Sequence, residues 1–321
     1  SSGRKAVRLK ILFAGTPDVA AATLKTLALD HRFANVEIVG VLTREDAPVG
    51  RKRVLTPSPV AVMAQSLGLK TIKANRIDES TLHAITSTGA TLGVVVAYGV
   101  LLKSAALSAL DDGWFNLHFS VLPRWRGAAP VQRAIMAGDQ TSGVTLFKLD
   151  EGMDTGPVLS VAQTEIQPGE TAGELLTRCR LLGESLLAES LPAIESGIAT
   201  LTVQDSSLST AAPKLHRQDA RVTATQTVAI ADRLIRGAFP EPIAFAESAS
   251  QQLRLLRARP LPTGAAAKAP AGTIDTVGGR VLLTLSDGAL ELLEVQPAGK
   301  NPMSATDWAR GAKLPIRIES D

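Results

Sequence analysis

Residues 8–15, Arg-Leu-Lys-Ile-Leu-Phe-Ala-Gly, form an apolar run of strand length that closes on Gly15. Thr16 is placed to cap a helix, Pro17 suits its first turn and Asp18 complements its dipole. Ala20 to Leu29 continue that helix, and Val36 to Thr43 supply a second buried strand. This alternation of strand and helix predicts a doubly wound, mostly parallel α/β sheet of Rossmann-like type. The first turn has Gly15 but lacks the full glycine-rich dinucleotide fingerprint, which argues against a nicotinamide cofactor.

The pattern continues. Thr91 to Tyr98 read as a central strand with Gly99 at its exit, and Trp114 to Phe119 as the next. Pro130 opens a helix that ends at Gly138, and Ser142 to Asp150 alternate into another strand. Thr171 to Gly197 read as a long amphipathic helix, capped by Thr171 with Glu174 three residues on. The pattern then weakens into a Ser- and Thr-rich linker. Beyond it come a helix near Gln226 to Ala238 and five short strands: Ile243–Ala246, Leu253–Ala258, Gly272–Val277, Val281–Leu285 and Leu290–Gln296. Short strands parted by Gly and Pro predict a small OB-like β-barrel domain. The expected organisation is a catalytic domain over 1–204, a linker over 205–217 and a barrel domain over 218–321.

Composition narrows the function classes. A hydrophobic content of 45% with 20% charged residues describes a globular chain. A net charge of +3 permits an anionic partner without demanding one. The barrel region carries 12 Lys/Arg and 11 Asp/Glu, so its one basic feature is the local cluster Arg254, Arg257 and Arg259. An aromatic content of 3% is low for a protein that grips single strands by base stacking. One cysteine excludes an internal disulfide and a thiolate-rich metal site, and no metal-ligand spacing is present. Cys179 shares helical spacing with Leu175, Leu182 and Leu186 and reads as core. No apolar run reaches the ~20 residues that span a membrane, and no signal peptide is visible, so a cytoplasmic enzyme is expected.

The chemistry concentrates in Asn116-Leu117-His118-Phe119-Ser120-Val121-Leu122-Pro123-Arg124-Trp125-Arg126-Gly127. In a strand, Asn116, His118 and Ser120 share one face and Leu117, Phe119 and Val121 the other. The loop Asp150-Glu151-Gly152-Met153-Asp154-Thr155-Gly156 also leaves a strand end, and its glycines allow a positive-φ excursion that could bring Asp154 to His118. An amide, an imidazole and a carboxylate suit acyl or one-carbon transfer between two bound partners. Asn116 and protonated His118 can donate to an oxyanion, His118 can pass a proton to a leaving nitrogen, and Asp154 favours the charged imidazole. Arg44 to Pro59 form a polar, proline-rich loop in which Arg51, Lys52 and Arg53 follow Gly50; beyond a strand end, such a loop suits phosphate contacts.

Several motifs lie in one order along the chain: Gly15-Thr16-Pro17-Asp18, Leu55-Thr56-Pro57-Ser58-Pro59, Val95-Val96-Ala97-Tyr98-Gly99, Asn116-x-His118-x-Ser120 through Pro130, Asp154-Thr155-Gly156, and Gln296-Pro297-Ala298-Gly299-Lys300. Together they resemble the folate-dependent formyltransferases, and among them those that act on methionyl-tRNA. That resemblance implies transfer of a formyl group from 10-formyltetrahydrofolate to the α-amino group of methionyl initiator tRNA. It implies Asn116, His118 and Asp154 as the catalytic residues. It also implies a folate site lined by Ser120, Val121, Leu122, Pro123, Tyr98 and Gly99, and tRNA contacts from Arg51, Lys52, Arg53 and Arg44. A monomer with no bound metal and no membrane partner is expected.

Two departures stand out. Phe119 occupies a position where the family usually has glycine, and alternation sends it away from the trio. The start of the barrel region, Arg221 to Pro242, lacks the tryptophans often found there. The competing readings are a formyltransferase acting on a nucleotide sugar or a purine precursor, and a non-catalytic RNA-binding relative. The first sits poorly with the basic loop, the purine enzyme has no need of 205–321, and the last fits poorly with the intact trio.

Overall fold

The computed structural model describes residues 8–50, 52–262 and 269–320. They form two compact units. One runs to Ala128 and adds Ser142–Thr164 and Leu176–Ala212; the other comprises Ala129–Thr141, Glu165–Leu175 and the chain from Pro213 onward. The division between Ala212 and Pro213 falls within the stretch expected to be a linker, while the two shorter segments join the second unit through contacts that sequence distance hides.

In the first unit, β1 (Leu9–Gly15), α1 (Asp18–Leu29) and β2 (Val36–Thr43) form the expected opening unit. A hairpin of β3 (Ala47–Val49) and β4 (Val54–Thr56) comes next, then α2 (Pro59–Ser66), β5 (Thr71–Lys73) and α3 (Glu79–Thr86). β6 (Leu92–Val96), α4 (Ser104–Leu107), β7 (Gly113–His118), β8 (Thr141–Lys148), β9 (Val158–Glu165) and α6 (Ala172–Glu195) follow, whereas α5 (Pro130–Ala137), between β7 and β8, and the first turn of α6 belong to the second unit. The sheet order is β5-β2-β1-β6-β7-β8-β9. Strands β2, β1, β6 and β7 pair in parallel, and β8 turns back antiparallel to β7. The chain winds one way from β1 to β5 and the other way from β6 to β7. A crevice beyond the carboxyl ends of β1 and β6 follows from that reversal.

The alternation along β7 is realised. Leu117 is 2% exposed, and a Cβ on Gly183 of α6 would meet Val144 and Leu117 at 3.2 and 3.4 Å. Small size at Gly183 therefore lets the helix lie close against that face. Trp114, on the opposite face, is buried and donates its indole N–H to the Ala106 carbonyl at 2.8 Å. Phe119 is buried, as expected of a residue directed inward.

Three expectations need correction. Thr16 does not cap α1: Pro17 occupies the cap position with no side-chain bond, and the Thr16 hydroxyl donates instead to the Tyr98 carbonyl at 2.8 Å. That bond ties the exit of β1 to the exit of β6. The basic loop is a hairpin, with Lys52 and Arg53 at its turn. Its strands have three residues each and include Pro48, which hides them from any test of periodicity. The helix ends are shorter than expected; the long one closes at Glu195, with the predicted Thr171–Glu174 capping bonds in place.

In the second unit α7 (Val228–Gly237) precedes an antiparallel sheet. Its strands are β10 (Ala244–Glu247), β11 (Gln252–Pro260), β12 (Thr273–Val277), β13 (Arg280–Leu285), β14 (Gly288–Pro297), β15 (Met303–Ser304) and β16 (Ile316–Arg317). The order is β10-β11-β14-β13-β12-β16, with β15 on β14, and a bridge from Ser248 to Ile318 joins the two ends of the curl. All five expected strands are present. The core holds Leu255, Leu283, Leu290 and Val295, closed by Ile235 of α7 and by Trp308 of α8 (Ala305–Gly311). The basic cluster is not a free stripe. Arg257 and Arg259 pair with Glu174 and Glu291, each at 2.8 Å, and Arg254 donates to Gln296 at 3.3 Å.

Candidate active site

β7 delivers Asn116 and His118 to the end of the sheet, and the loop after β8 delivers Asp154. His118 Nδ1 stands 3.7 Å from Asp154 Oδ2. On the other side of the ring, Nε2–H donates to the Trp125 carbonyl at 2.8 Å. Because a carbonyl can only accept, that bond places a proton on Nε2. The imidazole is 6% exposed and meets the Phe147 ring edge-on, with centroids 6.4 Å apart. Burial therefore pushes its pKa below the ordinary 6.5, against the Asp154 carboxylate and the bond to Trp125, which both act to raise it. Asp154 favours the charged imidazole, as expected, but desolvation outweighs the carboxylate and sets the net direction. The resting ring is neutral, with Nδ1 as its acceptor.

Asp154 adopts φ 55°, in the left-handed region. The positive-φ excursion expected of the flanking glycines falls on the aspartate itself. Gly156 serves a different need: a Cβ there would run into the Lys148 carbonyl oxygen. Asp154 Oδ2 accepts from the Gly127 N–H at 2.8 Å, so the carboxylate is aimed by the loop that follows β7. Asn116 Oδ1 is buried and has no hydrogen-bond partner among the described residues. A buried polar atom without a partner is uncommon, and amide oxygen and nitrogen exchange places by a half-turn. The Asn116 amide oxygen is accordingly a hydrogen-bonding atom that the fold itself does not use.

The residues expected to line a folate site occupy the loop after β7. Thr145 holds that loop: its hydroxyl donates to the Ser120 carbonyl at 2.7 Å and accepts from the Leu122 N–H at 3.1 Å. The Ser120 hydroxyl donates to the Arg124 carbonyl at 2.6 Å, and Leu122 is buried, while Val121 and Pro123 are half-exposed. Tyr98 departs from expectation. Its side chain is 2% exposed, its hydroxyl donates to the Ala74 carbonyl at 2.8 Å, and burial pushes its pKa up to about 12. The ring belongs to the core, which leaves the backbone of Tyr98 and the exposed Gly99 to face the rim. Among the expected tRNA contacts, Lys52 and Arg53 are exposed at the hairpin turn and Arg51 lies outside the described residues. Arg44, exposed at the exit of β2, donates to Asn75 Oδ1 at 3.2 Å.

Sequence reasoning missed Gln204, which ends the expected catalytic domain. Its amide nitrogen donates to the carbonyls of Asp154 and Gly156 at 2.9 and 2.7 Å, and its oxygen accepts from Arg126 at 2.8 and 3.1 Å. Residues 210–212 follow the same loop: Arg126 N–H donates to Thr210 O, and Ala212 N–H to Arg126 O. A lone glutamine in a weakly patterned stretch gives no signal of this. Among the described residues there is no cluster of metal-ligating side chains, and no helix is long and apolar enough to cross a membrane.

A Rossmann-like sheet followed by a curled antiparallel sheet is the fold of the formyl transferases. The formyl transferase family model matches residues 7–191, and the model of the formyl transferase C-terminal domain matches residues 214–313. The chain belongs to the formyl transferase family. Its relatives include methionyl-tRNA formyltransferases of Clavibacter sepedonicus, 45% identical over 94% of this chain and 97% of that one, and of Paenarthrobacter aurescens, 44% identical over 97% and 99%. Among solved structures, the N-formyltransferase of Helicobacter canadensis in complex with folinic acid and dTDP-3-aminofucose shares the fold. It has a TM-score of 0.66 and 18% identity, covering 90% of this chain and 99% of that one.

Proposed function

We propose that this chain transfers a formyl group from 10-formyltetrahydrofolate to the α-amino group of methionyl initiator tRNA. The observation that carries the reading is the match, over nearly their whole length, to relatives named for that activity. The Helicobacter canadensis neighbour, crystallised with folinic acid, supports a folate co-substrate.

The site residues supply the chemistry as follows. His118 Nδ1 and Asp154 Oδ2 are both acceptors and face the same 3.7 Å gap. An amino group seated against that gap finds two acceptors for its N–H bonds. Neutral His118 takes the proton released as the amine attacks, with the Trp125 carbonyl holding the ring in the required tautomer. Asp154 then stabilises the imidazolium, which returns the proton to the departing nitrogen. The Asn116 amide donates to the formyl oxygen as it gains charge. Ser120 to Pro123, with Gly99 and the backbone of Tyr98, line the folate side. Lys52 and Arg53, with Arg51 and Arg44, meet the tRNA phosphates.

The test is an assay with methionyl initiator tRNA and 10-formyltetrahydrofolate, with acid-gel separation of formylated from free aminoacyl-tRNA. Formylated product is expected for the wild type and none for His118→Ala. Formylation of an amino sugar nucleotide, with none of the tRNA, would overturn the assignment.

A further inference from the structure

We infer that Gln204 is a positioning residue for the reaction, clasping the loop that carries Asp154 to the loop that carries Trp125 to Gly127. Both loops end at the imidazole. The first brings the Asp154 carboxylate to 3.7 Å from Nδ1, and the second brings the Trp125 carbonyl to 2.8 Å from Nε2. Each loop is left-handed next to the clasp, with φ 55° at Asp154 and 63° at Trp125. Such backbone persists only where surrounding contacts over-determine it.

Gln204 provides those contacts. An amide has two N–H donors and an oxygen with two lone pairs, and here all four are used. The donors meet the carbonyls of Asp154 and Gly156, at either end of the strained turn, and the oxygen takes two N–H groups of Arg126. Gln204 is itself 9% exposed, so these bonds form away from most solvent. Glutamate cannot fill this role: it keeps the bonds from Arg126 but has nothing to donate to two carbonyls. The Asp154 carboxylate bonds to Gly127 next to Arg126, so the clasp and the carboxylate–backbone bond brace the same pair of loops from two points.

The inference rests on the formyl-transfer reading, in which the spacing of Asp154 and His118 sets the rate. Misplacement of reacting groups by about 1 Å costs on the order of 10²-fold. The test compares wild type with Gln204→Glu, Gln204→Leu and Arg126→Lys in the methionyl-tRNA assay. It reads kcat, KM, the pH–rate profile and the melting temperature. Gln204→Glu is expected to stay folded but to melt below wild type, because Arg126 keeps its partner while the carbonyls of Asp154 and Gly156 lose their donors, and to lose kcat by about 10²-fold with little change in KM. The acid limb of its pH–rate profile should also shift, because Asp154, the charged side chain facing the imidazole, has moved. A loss of folded enzyme would instead lower the rate equally at every pH. Any of the three variants that folds and keeps a kcat within about twofold of wild type, with an unshifted profile, overturns the inference. An inactive wild type would sink the formyl-transfer reading instead, so the two failures are distinct.

Discussion

Nδ1 of His118 and Oδ2 of Asp154 face each other across 3.7 Å, too far for a hydrogen bond and near enough for charge to act. The bonds that fix the pair come from elsewhere: Trp125 holds the imidazole and Gly127 holds the carboxylate. Burial and the carboxylate pull the imidazole in opposite directions, and burial prevails. A resting base with a free acceptor is the result, rather than a resting imidazolium.

The first prediction concerns pH. A histidine whose folded pKa lies below 6.5 stays neutral as pH falls through 6.5, while the unfolded chain takes up a proton there. Its contribution to folding is therefore unaffected above 6.5 and turns unfavourable below it. Activity that needs neutral His118 should likewise persist below pH 6.5. The acid limb of kcat/KM, and the imidazole titration followed by NMR, should both fall below that value. An acid limb above it would mean that the reacting ring is charged.

Substitution of Asp154 separates charge from backbone strain. Asp154→Asn keeps a side chain that tolerates φ 55°, whereas Asp154→Ala does not. Both should lose activity by on the order of 10²–10³-fold, because both remove the anion that stabilises the imidazolium. Only the alanine variant should also lose about 1 kcal/mol of stability. Parallel turnover and denaturation measurements give the comparison; equal stability in the two variants would remove the case for strain at this residue.

Much of this arrangement was legible in the sequence, for identifiable reasons. Strand–helix alternation exposed the sheet because buried parallel strands are continuous apolar runs, and two-residue spacing placed Asn116 and His118 together because side chains alternate. Four things were not legible. The hairpin that carries Lys52 and Arg53 has strands too short to show a period. Tyr98 sits next to a strand exit, and only the Ala74 carbonyl, 24 residues away, shows that its ring turns inward. Gln204 acts on Asp154 across 50 residues, through backbone carbonyls that no side-chain pattern encodes. The sign of the His118 shift was also out of reach, since burial cannot be weighed against a neighbouring charge until both are in space.

Thr145 gives a prediction on the folate side. Its hydroxyl is fully buried and serves both the Ser120 carbonyl and the Leu122 N–H. Thr145→Val preserves shape but leaves two buried backbone groups unpaired, at a cost on the order of 1–3 kcal/mol. KM for the folate should rise more than kcat falls, because the displaced loop carries Ser120 to Pro123. Thr145→Ser, which keeps the hydroxyl, should stay near wild type in both. Stability from thermal unfolding and KM from initial rates check the pair, and a wild-type KM in the valine variant would detach this loop from folate binding.

The hairpin prediction turns on salt. Lys52 and Arg53 lie exposed at the turn between β3 and β4, and the hairpin also exposes Val49, Val54 and Leu55 at 57%, 60% and 65%. A basic tip on an apolar ribbon suits a polyanion: the cations meet phosphates and the ribbon covers adjoining surface. Each phosphate neutralised contributes roughly 0.7–0.9 to the slope of log K against log salt. Lys52→Ala should therefore weaken tRNA binding and flatten that slope by about 1, with KM for the folate unchanged. Arg53→Ala removes a charge in the same way, and it also replaces a residue at φ 49°, so some loss of hairpin order accompanies it. Binding titrations with initiator tRNA at several salt concentrations measure the slopes. A slope that stays at the wild-type value in Lys52→Ala would take this side chain off the phosphate backbone, and a folate KM that moves with it would place the hairpin over the other substrate.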